Sequence, residues 1–394
     1  NTLVRLLVDA NQASTDLLST VRNYSDFLTG NLLWTRNYAY ASLDRLLQQL
    51  QQLRDAFVRK APASNLSSLY RDPATIALLT LLLLLLVRRR RIRARLKDML
   101  GKPINPSSES VGLLLSALLL TVLKTLTVPL VLTLLARSLQ VAGAGDPTLQ
   151  SISAALQASA LTMFSLSFLR TLGSRLGAGR RLLKWNSAKI DSLLRDMHWL
   201  APLLTIAVGV STLGRELTPT DSGGPLAAAG SIVLASLLML AAVRALRTGQ
   251  FASDYFARYS LRFMALASAA ITIMHVSGQL FAAHLYLRAL GASIAAVLIT
   301  LTIISTLQRM LQLYRFRLQQ RSRESERARA LGDDKTHDEN DESRTSREEA
   351  LASLSDAHKQ LLSLFRLLTL GTLLWLIWSP ALPALSFLDD ITLW

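Results

Sequence analysis

Few side chains of this 394-residue chain are of types that do chemistry, and their spacing does not bring them together. The five histidines, His198, His275, His284, His337 and His358, are scattered without metal-ligand spacing, and the lack of cysteine excludes disulfides and thiolate metal sites. No GxxxxGK[ST], GxSxG or HExxH pattern occurs. The LGAGRR stretch from Leu176 follows an apolar helix rather than a strand, so it reads as a loop and not a phosphate-binding turn. The acidic run from Asp333 to Glu342 resembles a calcium loop only in composition, without the ligand order or flanking helices such a loop needs. The residues predict a protein that is not an enzyme and has no cofactor and no resident metal.

The ionisable residues of interest are those in apolar surroundings. Lys124 lies midway along one apolar stretch, five residues before Pro129. Pro129 cannot donate to the carbonyl of Thr125, so Lys124 reads first as a packing partner at that kink, then as a snorkelling side chain, and last as a carrier of protons or ions. His275 lies deep in another stretch and reads as a neutral imidazole bonded to Ser or Thr across a helix interface. Arg88, Arg89, Arg90, Arg91, Arg93 and Arg95 directly follow the uncharged block Ala74 to Val87. Guanidinium groups are costly in hydrocarbon and sit well among lipid phosphates. Spread over more than two helical turns, these six cannot all face one protein partner, so lipid headgroups are the expected common contact. The bland reading is that they serve only as a stop signal during insertion.

These residues are positioned by eight apolar stretches, which predict an all-α polytopic membrane protein of about eight transmembrane helices arranged as helical hairpins. The spans run from Ala74, Val111, Ile152, Trp199, Pro225, Met264, Leu285 and Leu361. Half the residues are hydrophobic, mean hydropathy is +0.32 and only 18% are charged. The net charge of +16 would suggest nucleic acid in a soluble protein, but the excess lies in loops between spans, where it reads as positive-inside topology. Eight basic residues fall between Arg88 and Lys102, whereas none falls between Val141 and Gln150. The basic loops are therefore expected in the cytoplasm and both ends of the chain on the far side. Small residues four apart, Ala227, Ser231 and Ala235, and Gly291 with Ala295, predict close helix approach.

Four regions follow: a periplasmic helical segment over 1–72, transmembrane helices one to seven over 73–318, a charged cytosolic linker over 319–350, and an eighth helix with a periplasmic lead-in over 351–394. Asp72 and Pro73 read as the N-cap and first turn of the first span. Low hydrophobicity and dense charge predict a mobile linker over about 322–349. The chain begins at Asn1 without Met and stops after an apolar segment, as part of something longer would.

Two pieces carry a family resemblance. Tyr24-Ser25-Asp26-Phe27-Leu28 with Leu32-Leu33-Trp34, and Trp378-Ser379 with Leu388-Asp389-Asp390-Ile391-Thr392-Leu393-Trp394, resemble the segments that bracket the membrane region of the large MscK and MscM-type mechanosensitive channels of the MscS superfamily. The glycine-and-alanine-rich pore helix and the cytosolic β-domain that define the superfamily are not in this sequence. The resemblance implies a bacterial inner-membrane homo-oligomer, a heptamer, that opens under tension and releases solutes in hypoosmotic shock, with these helices as its peripheral sensor paddle and membrane lipids as their partners. A polytopic transporter or a membrane scaffold is the alternative. Transporters place polar, broken helices at the midplane, and Lys124 with Pro129 is the only comparable feature here.

Overall fold

The computed structural model describes residues 5, 9–21, 43–59, 72–101, 111–143, 145–218, 224–248, 255–330 and 360–381. Every regular element among them is helical. Helix α1 spans 9–21 and α2 spans Leu43–Arg59. The membrane-type helices are α3 (Pro73–Gly101), α4 (Val111–Ala142), α5 (Pro147–Gly173), α7 (Ser187–Glu216), α8 (Pro225–Arg247), α9 (Tyr255–Val276), α10 (Leu280–Ala330) and α11 (Gln360–Ala381). The one-turn helix α6 (Ala178–Arg181) sits in the α5–α7 connection.

Among the described residues seven helices, α4, α5 and α7 to α11, are long and apolar enough to cross a membrane. The expected first span, α3, is not one of them, because its fifteen uncharged residues, 73–87, run without a break into the arginines of the same helix. At 1.5 Å per residue they cover only about 22 Å, against a hydrocarbon core of about 30 Å.

Each membrane helix packs on the next in sequence, from α3 to α10, with α6 bridging α5 to α4. Polar punctuation sets the hairpins. Asp146 caps α5 by accepting from the Thr148 N–H at 3.0 Å, ahead of Pro147. Gly278, at φ 86°, makes the tight turn between α9 and α10, a conformation that costs glycine little. Consecutive helices therefore alternate in direction, which gives the bundle an arginine-poor end (Asp72, the α4–α5, α7–α8 and α9–α10 turns) and an arginine-rich end.

The arginine-rich end holds one apolar cluster of Leu96, Leu100, Leu114, Leu172, Ala178 and Leu182, onto which Met310 of α10 packs. Trp185 Nε1 donates to Ser305 Oγ at 3.2 Å and fastens α10 there. A second cluster, Ala235, Ile271, Ala283, Leu287 and Leu290, joins α8, α9 and α10. The small residues of α8 act as expected: Ala227, Ser231 and Ala235 are fully buried. A Cβ on Gly214 would stand 2.1 Å from the Ala227 nitrogen, so only glycine allows this α7–α8 spacing. Gly291 differs from expectation. It is exposed, with nothing within 4 Å of a Cβ built on it, because no described element packs on that face of α10.

Outside the bundle, α2 lies against α5 and α8. Leu46, Gln49 and Leu53 form a half-buried helical stripe, and Gln49 Oε1 accepts the Leu226 N–H at 3.1 Å. That bond satisfies a first-turn donor of α8 that Gly224, its N-cap, cannot reach with a side chain. α10 is 51 residues long and continues to Ala330, so residues 322–330 are helical where a linker was expected. Their Arg, Glu and Ala content favours helix. The rest of the charged segment, and the motif residues 24–34 and 388–394, lie outside the described residues. Trp378 of the second motif is described, and its Nε1 donates to Ser293 Oγ of α10 at 3.0 Å.

Candidate functional site

The α3–α4 hairpin collects most of the residues singled out by the sequence. Helix α3 buries one stripe, Leu82, Leu85, Ile92, Leu96 and Leu100, against α4. Arg88, Arg89, Arg90, Arg91, Arg93 and Arg95 are all exposed, including Arg89, which falls in line with that stripe. Among the described residues none of the six makes a hydrogen bond or ion pair. This sets them apart from other arginines of the same end, such as Arg180, which pairs with Asp191, and Arg244, whose Nε is 3.4 Å from Asp196. The helix turns its leucines outward too. Ile76, Leu79, Leu83, Leu84, Leu86 and Val87 are exposed, an apolar surface suited to lipid and not to water.

The arginine-poor end of the hairpin closes with a clamp that sequence reading missed. Arg137 Nε and Nη2 donate to Asp72 Oδ2 and Oδ1 at 2.9 and 3.2 Å, a bidentate pair. The same carboxylate caps α3, accepting from the Thr75 hydroxyl at 2.6 Å and from its N–H at 3.3 Å. Hydrogen bonding from Arg137, and then from Thr75, holds the Asp72 carboxyl well below the usual carboxylate range. The N-cap role of Asp72 was legible. Its partner, 65 residues on, was not, since nothing local marks Arg137.

The packing register sets Lys124 against the arginine-bearing part of α3. With Asp72 against Arg137 at one end and Leu96 and Leu100 beside Leu114 and Ala117 at the other, Lys124 falls level with the start of the arginine run. It is half-buried, close enough to Arg93 to feel its charge. Only twelve residues, 125–136, separate Lys124 from Arg137, about 20 Å along the helix. α4 runs on through Pro129, which is buried. Helix α3 thus carries an uncharged slab of roughly two-thirds the usual core thickness bounded at each end by charge, and α4 carries one of similar length between Lys124 and Arg137, with a further uncharged stretch, 111–123, on the other side of Lys124.

His275 is at a different place, on α9 one residue from its end, and is 5% exposed. The expected bond to Ser or Thr across an interface is absent among the described residues. Its Nδ1 lies 2.9 Å from the Ile271 carbonyl of its own helix, the i−4 acceptor that geometry offers first. The cross-helix serine belongs instead to His284 of α10, whose Nδ1 is 3.0 Å from Ser231 Oγ, itself 2.7 Å from Ser211 Oγ. The two imidazoles meet edge to face with ring centroids 5.1 Å apart. Their nine-residue separation across a turn hid this pairing. Among the described residues no three or more His, Cys, Asp or Glu side chains gather where they could hold a metal.

No curated protein and no solved structure matches this chain. A family match does exist, to Mechanosensitive ion channel inner membrane domain 1, over residues 73–394. It begins at the first residue of α3, includes the thin hairpin and all seven helices able to span a membrane, and covers most of the chain. The chain is a multi-pass, all-α membrane protein that belongs to this inner membrane domain family of the MscS superfamily of mechanosensitive channels.

Proposed function

We propose that this chain is the tension-sensing paddle of an MscK/MscM-type channel in a bacterial inner membrane, both its ends periplasmic, working within a homo-oligomer that releases solutes in hypoosmotic shock. The observation that supports this most is the α3–α4 hairpin: an apolar slab of about 20 Å in a membrane of about 30 Å, leucines outward and unpaired arginines at its rim. A short slab forces the bilayer to thin locally or the hairpin to tilt, at fractions of a kcal/mol per ångström of mismatch. Stretching a membrane thins it. The mismatch then shrinks, and the difference in lipid contact between two arrangements of the hairpin is the free energy by which tension biases a two-state equilibrium. No catalytic group takes part. The heptamer implied by the resemblance would place seven such hairpins around one pore, so their small energies add.

The test is made in the complete channel. Lengthening the slab by changing Arg88 and Arg89 to Leu while keeping Arg90, Arg91, Arg93 and Arg95 should shift the tension threshold in excised patches and survival of cells after osmotic downshock. An unchanged threshold in a correctly inserted channel would sink the paddle reading. Topology is checked separately, since the chain lacks cysteine. A single cysteine at Ser187 should resist an impermeant thiol reagent in intact cells, and one at Thr148 should label.

A further inference from the structure

We propose that Arg93 of α3 and Lys124 of α4 form a two-cation site for the phosphate of an anionic phospholipid, held on one side of the α3–α4 seam with an acyl chain lying along the hairpin. Neither cation has a hydrogen bond or ion pair among the described residues. No acidic residue occurs in α4, and the only one in α3 is Asp98, a further turn and more beyond Arg93. A half-buried lysine beside a second cation is costly until an anion joins them.

The two side chains converge although their backbones are offset. Counted from the Asp72–Arg137 pair, the antiparallel register sets Lys124 level with Leu85, eight residues or about 12 Å along the axis from Arg93. Helical side chains lean toward the N-terminus of their own helix. In this antiparallel pair Lys124 therefore leans toward the arginine run, and Arg93 leans back toward Lys124. With a reach of roughly 6 Å each, the two stems bring their charges to a common level. There Lys124 feels the charge of Arg93.

The surface leading away from this point is apolar. On α3, Leu79, Leu86 and Arg93 stand seven residues apart on one stripe, and both leucines are exposed. On α4, Lys124, Val128, Val131 and Leu135 share one stripe by spacings of four, three and four, and the three apolar residues are exposed. In right-handed antiparallel helices these two stripes fall on the same side of the seam that Leu82, Leu85 and Leu130 close. They make a shallow groove open to the membrane, with the cation pair at its arginine-rich end. From Lys124 to Leu135 it runs about 16 Å, about half of a 30 Å hydrocarbon core and so the depth one leaflet gives an acyl chain. Soluble phosphate would use the cations and leave the groove bare, so the groove selects a lipid. A zwitterionic headgroup would bring its own ammonium to two cations, so the charge selects an anionic one.

The inference rests on the membrane fold and not on tension sensing, so its failure would leave the sensor reading standing. The test is native mass spectrometry of the full chain, stripped of lipid in detergent and titrated with dioleoyl phosphatidylglycerol, dioleoyl phosphatidylcholine or glycerol phosphate. Expected is one tight equivalent of phosphatidylglycerol, bound at least tenfold more tightly than phosphatidylcholine, and no saturable binding of glycerol phosphate. Arg93→Gln and Lys124→Gln should each weaken it about tenfold, and Lys124→Arg should keep it. Arg91→Gln, which removes the same charge from the face of α3 turned away from Arg93, should leave it within about twofold. Equal loss in Arg91→Gln would mean diffuse headgroup attraction and overturn the site, as would glycerol phosphate bound as tightly as the lipid. A wild type without a tight first equivalent overturns it whether or not the variants fold.

Discussion

The α3–α4 hairpin and the α7–α10 junction are built on opposite plans. The hairpin buries one leucine stripe, leaves exposed leucines on α3 and is bounded by charge at both ends. The junction is closed by glycine, alanine and serine, and of its polar groups Ser231, His275 and His284 are buried and Ser211 is half-buried beside Ser231. At the junction these polar and small-residue contacts are all within the protein, although α9 and α10 also turn apolar residues such as Leu266, Ile273 and Ile299 outward. In the hairpin the outward leucines of α3 have no protein cover and offer an apolar surface suited to lipid. A sensor needs both kinds of part: one that moves with the membrane and one against which the movement is registered.

The largest effect should come from spoiling the rigid part. Gly214→Leu puts a side chain into the α7–α8 contact, where even a Cβ would be 2.1 Å from backbone. It should cost about 3 kcal/mol, the upper end for overpacking, read as a marked fall in thermal stability in detergent. Little change there would mean that the junction is not the rigid element. Next is the lipid-facing rim. Changing Arg90, Arg91, Arg93 and Arg95 to Gln in the complete channel, with Arg88 and Arg89 kept for topology, removes about 1 kcal/mol of headgroup attraction per residue engaged. Insertion should persist and the opening tension shift; a normal threshold would leave the arginines only a stop-signal role.

Ser231→Ala should be milder, about 1–2 kcal/mol by thermal unfolding, since it strips His284 Nδ1 of its partner and leaves packing nearly intact. The smallest effect is expected at the clamp. Asp72 has a depressed folded-state pKa, so what it contributes is present above the ordinary carboxylate range near 4 and is lost as pH falls through the lower folded value. The stability difference between wild type and Arg137→Gln should therefore hold from neutral pH down to about 4 and shrink only below it. A difference already gone at pH 5 would show that the clamp does not form.

What the sequence disclosed and what it hid follow the range of the interactions. The run Ala74 to Val87, the Asp72-Pro73 start and the small residues of α8 are local signals, each readable from a few neighbours. Lys124 lies midway in its stretch, as the sequence alone shows; that it stands level with the start of the arginine run follows only from the register against α3. Arg137 and His284 take their meaning from residues on other helices, and the Ser231 that supports His284 is 53 positions away. Gly291 has the composition of a packing site without an element to pack on it among the described residues.

The long helix α10 has a mechanical consequence. It is held at the arginine-rich end by the Trp185–Ser305 bond and by Met310 and Leu313, which is buried, and it then continues seventeen residues to Ala330. At 1.5 Å per residue those residues extend the helix by about 25 Å. A tilt of about 10° of the membrane part about that support swings the far tip by roughly 4 Å, by the same helix geometry. On the proposed sensing role, a continuous helix of this length would carry a change of slope in its apolar part into a displacement of its charged end.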